Sequence, residues 1–232
     1  MAVRMSGAPY RLGFGRGESD RFLNVLVSPP EEPLHEAAIH LKLLEGIDPR
    51  EHELGLQYVI REEEIIEGME ILRKMGIDGG PIVALFIGGR GEKVWGDQNF
   101  LEVARDLAKD CQVVIMGGIS EEERLKAMSG EEASGFRVAP VVPIRQFASL
   151  VKQCSLFISG DCGPMHLASA LGVRVLAIFN VKNYQKYGPL GEGSRVLYNP
   201  DEKVPSHVVE IAREMLCGEL EKGDPERKGA VR

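Results

Sequence analysis

The chain has no apolar run near the roughly 18 residues that a membrane span requires,. Its first residues, "MAVRMSGAPYRLGF", lack the hydrophobic core of a signal peptide,. These two absences predict a cytoplasmic protein. Cysteine is scarce. Cys111, Cys154, Cys162 and Cys217 are widely spaced, with no Cys-x-x-Cys pair, so they read as reduced thiols rather than a disulfide framework,. Basic excess is missing too: 28 Lys and Arg stand against 35 Asp and Glu, a net charge of −7. Nothing there neutralises a polynucleotide, so no nucleic-acid partner is expected. A few local cations could still hold a small phosphate ligand. Several motifs are absent as well. No glycine-rich loop runs into Gly-Lys-Ser/Thr, and there is no Gly-x-Ser-x-Gly,. His35 and His40 are five apart and share no helix face, so no metal site is expected,.

What is present is a strand–helix alternation. Four runs are apolar almost without interruption: "PIVALFI" (81–87), "CQVVIM" (111–116), "SLFIS" (155–159) and "VRVLAIF" (173–179). They are short and rich in β-branched residues, as strands buried on both faces must be. "FRVAPV" (136–141) is a weaker fifth. Between them lie helical patterns. Phe100, Val103, Ala104, Leu107 and Ala108 make one apolar face, with Asp97 as its expected N-cap. Ser120 and Glu123 have capping-box spacing, and "PIRQFASLVKQC" opens on a proline,. The alternation predicts an α/β fold: a Rossmann-like parallel sheet with helices on both faces.

The first 55 residues differ. "YRLGF" reads as a short strand. "EEPLHEAAIHLKLLEGI" reads as a helix with Leu34, Ala38, Leu41 and Leu44 on one side, and 61–77 as another, neither with strands of its own to pack on,. A helix at about 204–217 precedes a charged tail that reads as disordered,.

In a parallel sheet ligands bind beyond the carboxyl ends of the strands. One such end reads "ISGDCGPMHLASALGV" (158–173). Gly160 ends the strand, Asp161 and Cys162 turn, and Gly163 and Pro164 fit the N-cap and first helical position. The amides of Met165, His166 and Leu167 would then point out unpartnered, and with the helix dipole they suit a phosphate. The His166 side chain is close enough to add a hydrogen bond. Asp161 would repel a phosphate, so it orients the loop or accepts from hydroxyls. "GGRGEKVWG" (88–96) supplies close-approach glycines, Gly88 and Gly89, and the cations Arg90 and Lys93,. "GGISEEE" (117–123) opens on Gly117 and carries Glu121, which could bond ribose hydroxyls or serve the helix dipole,. Three such loops on one sheet edge suit a nucleotide diphosphate with a sugar at each end. Tyr184 and Tyr187, in the loop after the fourth strand, could flank it.

These residues resemble a known family. "SGDCGPMHLASALGVRVLAIF" is similar to the Asp-Thr-Gly-Pro-Met-His-Leu-Ala-Ala-Ala-Leu-Gly block of the ADP-heptose:lipopolysaccharide heptosyltransferases, the family-9 glycosyltransferases. "GGRGEKVWGDQNFLEVARDL" resembles their Lys-x-Trp-Pro segment, and "VVIMGGISEEER" their next strand and acidic loop. The resemblance implies the C-terminal, donor-binding domain of a two-domain GT-B fold at 81–200. It implies a remnant of the N-terminal acceptor domain at 1–60, a linking helix at 61–80, a C-terminal helix at 201–218 and a tail at 219–232. It implies transfer of a heptose from ADP-heptose to the lipopolysaccharide inner core, inverting and metal-independent, in the cytoplasm or peripheral to the inner membrane. No cofactor is implied beyond the donor sugar nucleotide. Lys93 and His166 would serve catalysis. Gly88, Gly89, Arg90, Lys93, Gly117, Glu121, Asp161, Cys162, Gly163, Pro164, Met165 and His166 would form the donor site. The chain departs from the family in four places: Cys162 stands for Thr, Gly96 for Pro, Gly88 and Gly89 for hydroxyl residues, and "NVKNYQKYGPL" for Gly-Pro-Thr-Asp-Pro. The resemblance implies that most of the first domain, with the acceptor-activating base, lies outside this sequence. A catalytically silent nucleotide-sugar-binding module is the alternative.

Overall fold

The structure, a computed structural model, describes residues 5–15, 17–48, 50, 52–130 and 135–220. The chain divides into two compact units, Met1–Gly55 with Gln185–Tyr187, and Leu56–Tyr184 with Gly188–Arg232.

In the smaller unit β1 (Leu12–Phe14) and β2 (Val25–Val27) pair in parallel, Leu12 opposite Val25 and Phe14 opposite Val27. Helix α1 (Glu36–Leu44) packs near β1. The sequence anticipates β1 in "YRLGF" but not β2 beside it. The reason is length, because a three-residue strand is too short for its period to show. The helix also starts later than expected. His35 is its N-cap, its Nδ1 accepting from the Ala37 amide at 3.2 Å, which leaves Leu34 outside.

The larger unit begins with α2 (Glu62–Lys74) and then builds a parallel sheet. Its strands are β3 (Ile82–Phe86), β4 (Gln112–Met116), β5 (Arg137–Val138), β6 (Leu156–Gly160), β7 (Arg174–Ile178) and β8 (Arg195–Leu197). Their spatial order is β5-β4-β3-β6-β7-β8, all parallel. The central strands alternate between two hydrophobic layers, so they are apolar at nearly every position, and buried Ser159 of β6 donates to the Gly160 carbonyl at 3.1 Å,. Val83, Leu85, Ile158 and Ile178 enter one core with α3 (Asp97–Leu107), α4 (Glu122–Ser129) and α8 (Pro205–Leu220). Phe86 and Phe157 face the other layer and meet Phe147 of α5 (Ile144–Lys152), with ring centroids 5.7 Å and 6.5 Å away. Helix α6 (Gly163–Ala170) packs on β6, β7 and α5, and a short α7 (Tyr184–Tyr187) follows β7.

Strand β8 lies beyond the loop expected after the fourth apolar run, and the sequence does not anticipate it. Three residues at a sheet edge carry little apolar signal, although Leu197 is buried and pairs with Ile178. Helix α8 runs to Leu220, and the rest of the charged tail lies outside the described residues.

Helices α2 and α5 pack closely enough to require a glycine. A Cβ on Gly68 would sit 2.7 Å from the Ser149 carbonyl carbon and oxygen. Backbone cannot swing aside, so the helices would have to separate. Gly68→Ala is expected to cost about 1–3 kcal/mol. A urea unfolding midpoint equal to that of the unsubstituted chain would contradict this.

Candidate functional site

Strands β3 and β6 are neighbours, but the chain leaves them in opposite directions across the sheet. From β3 it moves to β4 and β5, and from β6 to β7 and β8. Loops leaving such a switch point diverge and open a crevice at the carboxyl edge. Here a cleft of about 610 Å³ occupies that crevice, lined by the ends of β3 and β6, the loop after β4 and the start of α6. A second cavity of about 670 Å³ lies at the opposite edge, where Pro81, Cys111 and Ser155 precede their strands. Its described lining is mainly apolar, with only the Asp110–Arg213 ion pair, so it offers little to an anion.

Lys93 ends a 3-10 turn, Gly91–Lys93, after β3. Its backbone lies directly over the end of β6: a Cβ on Gly160 would be 2.9 Å from the Lys93 carbonyl oxygen. Glycine at 160 therefore permits the loop to cross. The next residues fasten it. The Asn180 side-chain amide donates to the Val94 carbonyl at 2.8 Å, and the Trp95 indole N–H donates to the Lys203 carbonyl at 3.0 Å. On the other side Arg124 donates to the Ile87 carbonyl at 3.0 Å while paired with Asp97, whose hydrogen bond raises the guanidinium pKa. The ammonium of Lys93 reaches into the cleft and meets Asp161 Oδ2 at 2.7 Å. Asp161 is buried, whereas the lysine side chain is 38% exposed and so open to an incoming anion. The same Oδ2 accepts from Asn183 Nδ2 at 2.9 Å.

Helix α6 starts one residue earlier than expected. Cys162 is its N-cap, Gly163 its first residue and Pro164 its second. The amides of His166 and Leu167 therefore lie inside the helical ladder and do not point out of it. Met165 donates to the Cys162 carbonyl at 3.2 Å, and Pro164 has no N–H. This leaves the Gly163 amide outside the ladder, with the positive end of the helix dipole behind it. Burial pushes the Cys162 thiol up to about 11, so it stays neutral beside Asp161. Among the described residues, no group of three or more His, Cys, Asp or Glu side chains is placed to hold a metal ion.

The sequence profile of glycosyltransferase family 9 (heptosyltransferase) matches residues 72–215, which include the whole cleft. The chain belongs to this family. Lipopolysaccharide heptosyltransferase 2 of Salmonella typhimurium is 27% identical over 111 residues, 45% of this chain and 32% of that protein. Lipooligosaccharide heptosyltransferase 2 of Campylobacter jejuni is 24% identical over 102 residues, 42% and 32% of the two. The matched part of the chain thus spans about a third of the length of these curated relatives. Among solved structures, a family-9 glycosyltransferase of Veillonella parvula superposes with TM-score 0.81 at 22% identity, covering 91% of this chain and 68% of that one. The ADP-heptose lipopolysaccharide heptosyltransferase II of E. coli gives 0.72 at 22% identity, covering 93% and 72%. The fold is therefore the GT-B-like α/β fold of the heptosyltransferase structures.

In this family-9 chain the cleft gathers most of the residues singled out from the sequence. Gly88, Gly89, Arg90, Lys93, Glu121, Asp161, Cys162, Gly163, Pro164 and His166 all line it. Two are not among its lining. Met165 is fully buried, and Gly117 is where Glu121 packs, since a Cβ there would meet that side chain at 2.8 Å. The helical caps also shift. Gly96, not Asp97, caps α3, which frees Asp97 for Arg124. The capping-box reach is made by Glu121, not Glu123: its Oε2 accepts from the Gly118 amide at 2.9 Å, next to the cleft. Phe86, Ser120 and Asn183 were not singled out for the site. Phe86 and Ser120 line the cleft, and Asn183 stands behind Asp161. Only Phe86 carried a signal, as the last aromatic of an apolar run before two glycines.

Proposed function

We propose that this chain binds the nucleoside diphosphate of a sugar nucleotide, ADP-heptose or a related ADP-sugar, and forms the donor half of a glycosyltransferase acting on the lipopolysaccharide core. The observation that carries the reading is the convergence of the Lys93 ammonium with the start of α6 on one cleft at the sheet's switch point. Family membership supplies the reaction class, and the names of the relatives supply the sugar and acceptor. Lys93, the Gly163 amide and the α6 dipole would hold the diphosphate and stabilise the charge that gathers on it as ADP departs. His166, three residues into the helix, adds a ring nitrogen. Attack by the acceptor hydroxyl from the opposite face inverts the anomeric carbon, with no bound metal required. We assign the base that activates that hydroxyl to the acceptor domain rather than to the cleft.

Isothermal titration with ADP tests the reading, with UDP and GDP as competitors. Saturable binding of ADP, displaced weakly by the other two, is expected. No heat at millimolar ADP would overturn it. The partial coverage of the relatives favours a second reading, a binding module without turnover. ADP release from ADP-heptose in the presence of a heptose-deficient lipopolysaccharide would reject that reading.

A further inference from the structure

A buried carboxylate beside a phosphate site works against binding unless its charge is compensated. Asp161 Oδ2 has two compensating donors, Lys93 at 2.7 Å and Asn183 Nδ2 at 2.9 Å. Only one of them can leave. The Lys93 side chain is 38% exposed, whereas the Asn183 backbone is held by its amide, which donates to the Val181 carbonyl at 2.8 Å. Two further observations show how strongly the asparagine is committed to Asp161. It occupies the N-cap of α7, where its side chain would ordinarily accept from that helix's own amides, yet it makes no such bond,. Its Oδ1 is shut from solvent with no hydrogen-bond partner. Turning the amide over would not help, because Oδ1 would then face a carboxylate oxygen. A bond to an ionised acceptor is about twice as strong as a neutral one. That difference explains why one acceptor stays bare and one helix uncapped.

We infer that Asn183 is a positioning residue for nucleotide binding: by keeping a donor on Asp161, it lets Lys93 leave that carboxylate for the incoming diphosphate. The inference rests on the donor-site reading and adds to it. Without Asn183, Asp161 depends on Lys93 alone and competes harder with the phosphates for the ammonium. A side chain that acted only by shaping the loop would have no reason to depend on the charge at 161.

The test is calorimetric titration of ADP into the full chain and into Asn183→Ala, Asp161→Asn and the double variant, with melting temperatures to follow folding. Asn183→Ala is expected to weaken ADP binding about fivefold, the scale of one hydrogen bond. In the Asp161→Asn background the same substitution should change affinity by less than about twofold, because the competing charge is gone. Asn183→Asp, which sets a second carboxylate against the first, should weaken binding more than alanine does. Equal losses in both backgrounds would mean a merely structural role and overturn the inference, even if the variant is less stable. If Lys93→Ala loses affinity while Asn183→Ala does not, the inference falls and the donor site stands. If the unsubstituted chain does not bind ADP, both fall.

Discussion

Lys93→Ala is expected to raise the dissociation constant for ADP by about 30-fold, the scale of losing a hydrogen bond to a charged group. The substitution acts twice. It removes the cation that reaches into the cleft, and it strips Asp161 of its closest donor. The second effect lowers stability. Because the lysine is partly exposed, that loss is limited to about 1–2 kcal/mol, well below the cost of breaking a fully buried pair. The two effects separate in Lys93→Ala combined with Asp161→Asn. Removing the stranded charge should restore the melting temperature but only part of the ADP affinity. Titration and thermal unfolding of the single and double variants measure both. ADP affinity unchanged within a factor of two in Lys93→Ala would show that the diphosphate lies elsewhere.

Trp95→Ala is expected to cost about 3–5 kcal/mol of stability, the range for deleting a large buried aromatic side chain. Trp95 is buried, packs edge-on against Phe100 with ring centroids 5.0 Å apart, and ties the Lys203 carbonyl to the loop. Asn99 in turn donates to the Trp95 carbonyl at 2.7 Å, so the residue joins α3, the segment before α8 and the loop carrying Lys93. Trp95→Phe keeps most of the packing and loses the indole hydrogen bond, for a smaller cost of about 1–2 kcal/mol. Since Trp95 is the one tryptophan, circular dichroism in urea is the suitable probe. Equal stability of the alanine and phenylalanine variants would contradict the anchoring role.

The central strands were legible because burial on both faces leaves an apolar run that needs no other context. Strands β2 and β8 were not, since three residues at an edge carry almost no period. The helix start at Gly163 shows a different limit. A proline at the first or the second helical position forfeits no helical bond, so the sequence cannot separate the two registers. That single-residue shift decides which amides face the cleft. The cations and glycines of the site were readable from their own loops. Their supports were not: Asn180, Asn183, Arg124 and Lys203 are ordinary polar residues whose partners lie 22 to 108 positions away. Only folding brings them to Val94, Asp161, Ile87 and Trp95. The Lys93–Asp161 pair has the same origin: the two residues are far apart in sequence and meet only in the fold.

The most direct measurement is a crystal structure of the chain with ADP bound. A phosphate oxygen is expected within about 3 Å of Lys93 Nζ and another facing the Gly163 amide, hydrogen-bond range for each. A diphosphate bound away from the start of α6, with Lys93 still on Asp161, would contradict this.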